Sequence, residues 1–277
     1  MNYRHEFHAG NFADVMKHAL LTLSIEHLKK KAKPFFLLDT HAGAGMTDLA
    51  GEEAQKTGEF RQGIARLLDA EGNIPVPLAP YLEAVRALGG DPLTRYPGSP
   101  ALAAYLARSE DRIAFVEIEQ EPGRDCAELF KRDPRVKVQT MDGYRAMKAM
   151  LPPKERRGLI LVDPPFEDRA EFATIEKALA GAHRRWATGT LLVWYPVKDP
   201  SVSGEFLERM AASGIPKQLA LELHVMAPDG KRMTGSGILA VNPPWPLANE
   251  GEALLDWLAE KLAQGPGARA RVEWLAE

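Results

Sequence analysis

Gly158-Leu159-Ile160-Leu161-Val162-Asp163-Pro164-Pro165-Phe166 is the stretch on which the reading of this chain turns. Its first five residues are near-continuously apolar, with no polar alternation, the pattern of a central parallel strand covered on both faces. An acid and two prolines follow at once. Two prolines at a strand end stop the hydrogen-bond ladder and fix the backbone rigidly. The result is one carboxylate and one carbonyl framed beside an aromatic ring. That frame suits an exocyclic amino group on a planar base, because Asp163 and a proline carbonyl can accept its N–H bonds while Phe166 stacks on the ring. The plainer alternative is a rigid strand-end turn.

Four more runs have strand character on either side of it: Pro34-Phe35-Phe36-Leu37-Leu38-Asp39, Arg112-Ile113-Ala114-Phe115-Val116-Glu117, Val136-Lys137-Val138-Gln139-Thr140 and Gly189-Thr190-Leu191-Leu192-Val193-Trp194-Tyr195. Helical patterns lie between most of them, for example over 124–131 and 172–186, and such alternation argues for an open α/β sheet. Two later candidate strands, 219–226 and 237–241, are separated only by turn-rich sequence too short for a helical crossover, which predicts an antiparallel pair. Five parallel strands ending in an antiparallel hairpin is the plan of the Rossmann-like methyltransferase fold, and the same counts fit other α/β enzymes. The stretch from Asp39 to Glu117 is several times the dozen or so residues that one βαβ crossover requires. Residues 47–93 are rich in Ala, Leu and charge, with Ile74-Pro75-Val76-Pro77-Leu78-Ala79-Pro80 as punctuation. This predicts an inserted, mainly helical subdomain rather than a long irregular loop. The chain then divides into 1–46 (N-terminal motif and first strand), 47–95 (insertion) and 96–277 (remainder of the α/β domain). Asn242-Pro243-Pro244-Trp245 repeats the form of the acid-proline motif. It follows the last sheet strand, where this plan puts it away from the first and fourth strand ends, so it reads as an edge-strand terminator.

The 277 residues are 45% hydrophobic and 26% charged, ordinary for a globular protein and ample for a core without staples. Lys+Arg 35 against Asp+Glu 38 leaves a formal charge of −3, so a nucleic-acid partner must be held by a local basic patch, not a global field. Cys126 is the only cysteine, which excludes an intrachain disulfide framework, a CxxC redox centre and a multi-cysteine zinc site. No apolar run approaches the roughly 18 residues of a membrane span and no secretory pattern is present, so a cytoplasmic protein without a membrane partner is expected. Four of the seven histidines, His5, His8, His18 and His27, fall near the N-terminus, but none has HExxH-type spacing and no metal is predicted. His5 and His8 instead read as facing RNA or the active site. Arg4, Lys17 and the run Lys29-Lys30-Lys31-Ala32-Lys33 offer a local positive surface, with an ordinary solvated helix end the equal alternative for the run.

Asp39-Thr40-His41-Ala42-Gly43-Ala44-Gly45 follows the first strand directly. Glycines there let the backbone turn tightly and approach a ligand. No Gly-Lys-Ser/Thr follows, which disfavours a phosphate-cradling P-loop. An acid ending the second strand is the usual partner of such a turn, bonding ribose hydroxyls. Strand alternation puts Glu117 and Glu119 on one face, and Glu117 is the better placed. Asp142-Gly143, after the third strand, offers a carboxylate and a backbone N–H to the adenine edge of a cofactor, or is a simple Asp-Gly turn.

With these motifs together the chain resembles the AdoMet-dependent amino-group methyltransferases that act on adenine N6, cytosine N4 or glutamine. Tyr3-Arg4-His5-Glu6-Phe7-His8-Ala9-Gly10-Asn11-Phe12-Ala13-Asp14-Val15-Met16-Lys17-His18 resembles the start of the bacterial RlmJ family, 23S rRNA adenine-N6 methyltransferases whose target adenine is at position 2030. Leu38-Asp39-Thr40-His41-Ala42-Gly43-Ala44-Gly45, Tyr96-Pro97-Gly98-Ser99-Pro100, Arg157-Gly158-Leu159-Ile160-Leu161 and Trp194-Tyr195-Pro196-Val197 fit as well, so the resemblance runs essentially end to end. It implies a Rossmann-like AdoMet-dependent methyltransferase fold and AdoMet as cofactor, held by His18, His41, Ser99, Glu117, Asp142, Gly143 and Asp163. It also implies 23S rRNA as partner, met by Tyr3. Asp163, Pro164 and Phe166 would hold the flipped base, with Lys17 beside it and His5 toward the RNA. Phe166 stands where the family more usually has Tyr, which keeps stacking and gives up a phenol hydrogen bond. No long exposed heptad is present, so a monomer is expected. Rival readings are a DNA or protein-glutamine methyltransferase, an assembly factor that keeps AdoMet as a structural ligand, and a nicotinamide Rossmann enzyme. The last is disfavoured by the absence of a full GxGxxG.

Overall fold

The computed structural model describes residues 5–168 and 170–277. Its strands are β1 (Phe36–Asp39), β2 (Met46–Asp48), β3 (Arg95–Pro97), β4 (Arg112–Glu117), β5 (Val136–Thr140), β6 (Gly158–Val162), β7 (Thr190–Val197), β8 (Gln218–His224), β9 (Gly235–Val241) and β10 (Arg269–Ala276). Its helices are α1 (Phe12–Lys29), α2 (Glu52–Thr57), α3 (Ile64–Leu68), α4 (Ala79–Gly89), α5 (Ser99–Leu106), α6 (Gln120–Leu129), α7 (Gly143–Met150), α8 (Glu171–Arg185), α9 (Pro200–Ala211), α10 (Trp245–Asn249) and α11 (Gly251–Lys261).

Eight strands form one sheet in the order β10-β8-β9-β7-β6-β1-β4-β5. β1 pairs in parallel with β4 and β6, and β5 and β7 extend the parallel run on either side. β9 runs antiparallel to β7 and β8, and β10 antiparallel to β8. This is the Rossmann-like methyltransferase arrangement, with β10 as a strand beyond those expected. Its charged Arg269, Arg271 and Glu273 alternate with Ala270, Val272 and Trp274, the pattern of an edge strand only half covered.

Pleating sorts the central strands into two cores. Leu37, Leu159 and Leu161 pack with Leu20 of α1, Leu102 of α5 and Leu255 of α11. Phe36, Leu38, Ile160 and Val162 pack on the other face with Met147 of α7, Leu179 of α8 and Phe206 of α9. Central strands so covered need no polar alternation, which is why β1 and β6 read as continuous apolar runs.

α1 is the helix that matters for the site. The Asn11 side chain accepts hydrogen bonds from the N–H groups of Ala13 (2.9 Å) and Asp14 (3.0 Å), capping the helix start. Every residue from Phe12 to Ile25 is buried, so α1 runs through the interior and carries Asp14, Lys17 and His18 with it. Charges in such a place must be paired. The lysine run emerges at the far end, just before β1 begins, where the guanidinium groups of Arg108 and Arg157 donate to the Lys31 and Lys33 carbonyls. It is a solvated helix end there, at the opposite edge of the sheet from Asp163.

Between β1 and β4 the pairing of β2 with β3, Thr47 opposite Tyr96, ties together the two ends of a segment holding α2, α3 and α4. This segment packs on the turn before α1. Ile64 N–H donates to the Gly10 carbonyl at 2.9 Å, and a Cβ at Gly63 would lie 2.0 Å from that oxygen, so only glycine admits the approach. No helix among the described residues is long and apolar enough to cross a membrane.

Candidate active site

β4, β1 and β6 end side by side where the strand order reverses about β1, the place where open α/β sheets leave a crevice beyond their strand ends. A cleft of about 920 Å³ opens there. Its floor is the turn 41–45 after β1, Glu117 ending β4 and Asp163-Pro164-Pro165-Phe166 after β6, and its walls include the first turns of α1, Ser99 at the start of α5 and Trp194 of β7.

Lys17 is the hub. Its Nζ donates to Asp163 Oδ2 at 2.6 Å and to Asp14 Oδ1 at 2.8 Å, although the two acids are far apart in sequence. Asp14 Oδ2 accepts from Gly10 N–H at 3.0 Å and stands 3.3 Å from His5 Nε2. Burial works against the charge on Lys17, and the two carboxylates overcome it, holding its pKa well above the ordinary lysine value. Burial likewise opposes the Asp14 charge, yet Lys17 and His5 hold that carboxyl well below its usual range. The same contest raises His5, with Asp14 winning over burial. Asp163 Oδ1, in contrast to Oδ2, has no hydrogen-bond partner among the described residues.

The two buried imidazoles behave differently from His5. Burial pushes His18 down to about 3 and His41 down to about 4, so both are neutral donor–acceptors at ordinary pH. His18 Nδ1 lies 2.7 Å from the Tyr96 hydroxyl, and His41 Nδ1 lies 2.9 Å from Thr40 Oγ1. Ser99 Oγ donates to Asp39 Oδ2 at 2.6 Å, and burial raises that Asp39 carboxyl to about 7. Glu117 accepts from Gly43 N–H at 2.8 Å and from Glu119 N–H at 2.9 Å, so it braces the glycine turn. The alternation expected to align Glu117 with Glu119 ends with β4 at Glu117. Glu119 belongs to the cap of α6, and both line the cleft.

Phe166 has φ +52°, in the left-handed region that bulky residues avoid. Its ring contacts Phe172 (4.9 Å between centroids) and stands edge-on to Trp194 (5.6 Å), and both Phe166 and Trp194 face the cleft. Strain of this kind collects at functional sites.

A family model described as "Ribosomal RNA large subunit methyltransferase D, RlmJ" matches residues 32–276. The chain belongs to the RlmJ family. Two curated relatives, each a ribosomal RNA large subunit methyltransferase J, match over 99% of this chain and 99% of their own: one from Escherichia coli is 40% identical over 277 residues and one from Haemophilus influenzae 41% identical over 278. A Legionella pneumophila protein of known crystal structure superposes with a TM-score of 0.89 at 33% identity, covering 96% of this chain and 98% of that one.

Of the residues that the RlmJ resemblance singles out, His5, Lys17 and His18 line the cleft from the α1 side, and His41, Ser99 and Glu117 from the turn side. Asp163, Pro164 and Phe166 close it. Asp142 and Gly143 lie behind His41, outside the lining. Asp142 Oδ1 caps α7 by accepting from Arg145 N–H at 2.7 Å, and a Cβ at Gly143 would stand 2.3 Å from the Thr40 carbonyl. Tyr3 lies outside the described residues. Three residues of this RlmJ-family site escape sequence reasoning. Asp14 is one, and its only signal is the three-residue spacing to Lys17 that puts both on one side of a helix. Trp194 is another, read as part of a strand and of a family motif but given no place in the site. Glu59 is the third: it accepts from Asn11 Nδ2 at 2.9 Å and meets His8 Nδ1 at 3.0 Å, fastening the segment between β2 and β3 to the start of α1.

Proposed function

We propose that this RlmJ-family chain transfers a methyl group from AdoMet to the N6 amino group of an adenine in 23S rRNA, the adenine-2030 type of target, and works as a cytoplasmic monomer. The observation that carries the reading is Asp163: one carboxylate oxygen is locked on Lys17, and the other has no hydrogen-bond partner among the described residues, in a cleft beside Phe166. Family membership supplies the reaction class and the large-subunit rRNA.

The residues present fit AdoMet. Gly43 turns with φ +60° beside Glu117, and a Cβ added to it would meet nothing within 4 Å, so bare backbone faces the open cleft where a ligand can lie against it. Glu117 is the candidate for the ribose hydroxyls, Asp142 and Gly143 for the adenine edge, and His18, His41, Ser99 and Asp163 for the remaining polar groups. When bound, AdoMet would supply an electrophilic methyl group, its sulfonium S–C bond breaking as the N–C bond forms and S-adenosylhomocysteine leaving.

Adenine N6 is a weak nucleophile because its lone pair is delocalised into the ring. Asp163 Oδ1 and the Pro164 carbonyl accept its two N–H bonds, drawing the nitrogen toward tetrahedral geometry and freeing the lone pair for in-line attack. Phe166 holds the ring, which has left its stack at a cost of a few kcal/mol in a duplex and little in a loop. Lys17 fixes the rotation of Asp163 through its 2.6 Å contact with Oδ2, which leaves Oδ1 turned to the base. As N6 gains the methyl carbon it loses one proton, which Asp163 takes and passes to solvent. Positioning and fixed charges supply most of the acceleration.

The test is transfer of labelled methyl from AdoMet to modification-free 23S rRNA, with DNA and assembled large subunits in parallel and the product nucleoside identified by mass spectrometry. N6-methyladenine in rRNA, lost in Asp163→Ala with AdoMet binding retained, is the expected result. Near-normal turnover by Asp163→Ala would overturn the assignment.

A further inference from the structure

Charge in the cleft is segregated. The wall after β4 carries Glu117, Glu119, Glu121 and Asp125. The opposite wall, beyond β7 and β9, carries Lys198 and Arg232. β7 and β4 are separated in the sheet by β6 and β1, so the walls stand three strand spacings apart, about 14 Å.

The basic wall is built by register. Val197, the last residue of β7, pairs with Gly235, the first of β9, and Thr234 N–H donates to the Val197 carbonyl at 3.1 Å. Lys198 and the loop ahead of β9 are thereby brought together at the same edge of the sheet as Asp163. Asp229 folds that loop by accepting from Lys231 N–H (2.9 Å), Arg232 N–H (3.0 Å) and Arg232 Nε (2.9 Å), leaving Arg232 64% exposed. Lys231 beside it and Lys198 are exposed as well, and Lys198 has no ion-pair partner among the described residues. Trp194 and Pro196 bridge this wall to the acid-proline motif.

We propose that Lys198 and Arg232 hold the phosphates flanking the target nucleotide, so that the RNA strand enters along the β7–β9 wall and not across α6. The inference rests on the rRNA-methylating reading above. A polyanion is repelled by four carboxylates on one wall and drawn to the other, and the base then reaches Phe166 and Asp163 from the side of Trp194. The lysine run at the end of α1, at the opposite edge of the sheet, takes no part.

The test compares wild type, the double variant Lys198→Gln/Arg232→Gln, and the charge-matched control Lys30→Gln/Lys31→Gln, in methyl transfer to 23S rRNA across a salt series. The double variant should raise KM for rRNA about tenfold near 0.1 M salt and flatten the log KM–log salt slope by roughly 1.4, two single-strand phosphate contacts, with AdoMet affinity unchanged. The control should match wild type. An unchanged KM and slope, or equal losses in the control, overturns the proposal. Failure of the wild type to methylate any rRNA would instead overturn the functional reading on which it stands.

Discussion

Asp163-Pro164-Pro165-Phe166 and Asn242-Pro243-Pro244-Trp245 are one device placed at opposite strand ends of one sheet. β6 runs parallel to β1, so its end meets the glycine turn and the interior helix α1. β9 runs antiparallel to β7, and its last residue, Val241, pairs with Leu191 near the start of β7. The second motif therefore emerges where the parallel strands begin. There Asn242 N–H donates to the Lys217 carbonyl at 2.8 Å, its own carbonyl accepts from Thr190 Oγ1 at 3.0 Å, and Trp245 is 60% exposed. Both motifs end a strand and fix a turn. Only the first is met by a cation and an aromatic cluster, because only the first lies at the strand ends that face Lys17 near the start of α1. A proline-braced strand end becomes a site through the direction of its strand, not through its own sequence.

Substituting the leading residue of each motif separates the two turns most strongly. Asp163→Asn should lower kcat by roughly 10²–10⁴-fold in single-turnover methyl transfer, since an amide cannot take up the proton, while Asn242→Ala leaves kcat near wild type. Comparable losses at both would show that the two turns share a structural role. The next effect is on stability. Lys17→Met leaves Asp14 and Asp163 facing each other in the interior and should cost about 3–5 kcal/mol in urea unfolding, whereas Lys217→Met, on the exposed backbone that Asn242 holds, should stay within about 0.5 kcal/mol. A small Lys17 effect would mean that the buried network is wetter than its 2.6 Å and 2.8 Å contacts imply.

The cleft edge also has a pH signature. Burial holds His18 near 3, against 6.5 for a free histidine, so between those values the unfolded chain binds a proton that the folded chain does not. That contribution is fully present above pH 6.5 and lost as pH falls toward 3, at up to about 1.4 kcal/mol per pH unit. Asp39 has the opposite sign, since its carboxyl is raised from 3.8 to about 7 and the folded chain keeps a proton the unfolded chain releases. It offsets part of the acid loss, to which His41 adds on the histidine side. His18→Asn should be less stable than wild type at neutral pH through the lost Tyr96 bond, and that gap should narrow as pH falls from 6.5. A gap constant with pH would show that His18 titrates in the fold as it does in the unfolded chain.

What was legible in the sequence follows from what was covered on both sides. β1 and β6 announced themselves as unbroken apolar runs because helices pack on both of their faces. The missing helical crossover between 226 and 235 was enough to pair β8 with β9. β10 was passed over because an edge strand is half solvated and its alternating charges look like surface. The glycine turn, Glu117 and Asp163 could be reasoned from strand ends alone. Lys17 and Asp14 could not, since a charged pair in the interior of a helix is indistinguishable in sequence from a solvated one until its partner, Asp163, is brought up from 146 residues away. The roles expected of the N-terminal residues came from family resemblance, and the structure supplies their physical setting.

The smallest expected effects probe the left-handed residue that each motif carries, at its fourth position in the first and at its first in the second. Phe166 and Asn242 both have φ +52°. Asparagine tolerates the left-handed region, because its short amide bonds to local backbone, and Asn242→Gly should change stability by less than about 0.5 kcal/mol and leave methyl transfer alone. Phenylalanine does not, and of the order of 1–3 kcal/mol of strain is held in place by Phe172 and Trp194. In Phe166→Gly, relief of that strain offsets the lost ring contacts, so the variant should unfold near the wild-type urea midpoint while transferring methyl groups far more slowly. Phe166→Tyr keeps ring and strain and should resemble wild type in both respects. A Phe166→Gly variant destabilised by about 3 kcal/mol or more would show ordinary aromatic packing at the cleft edge, with no strain stored there, and the two proline turns would then differ in chemistry alone.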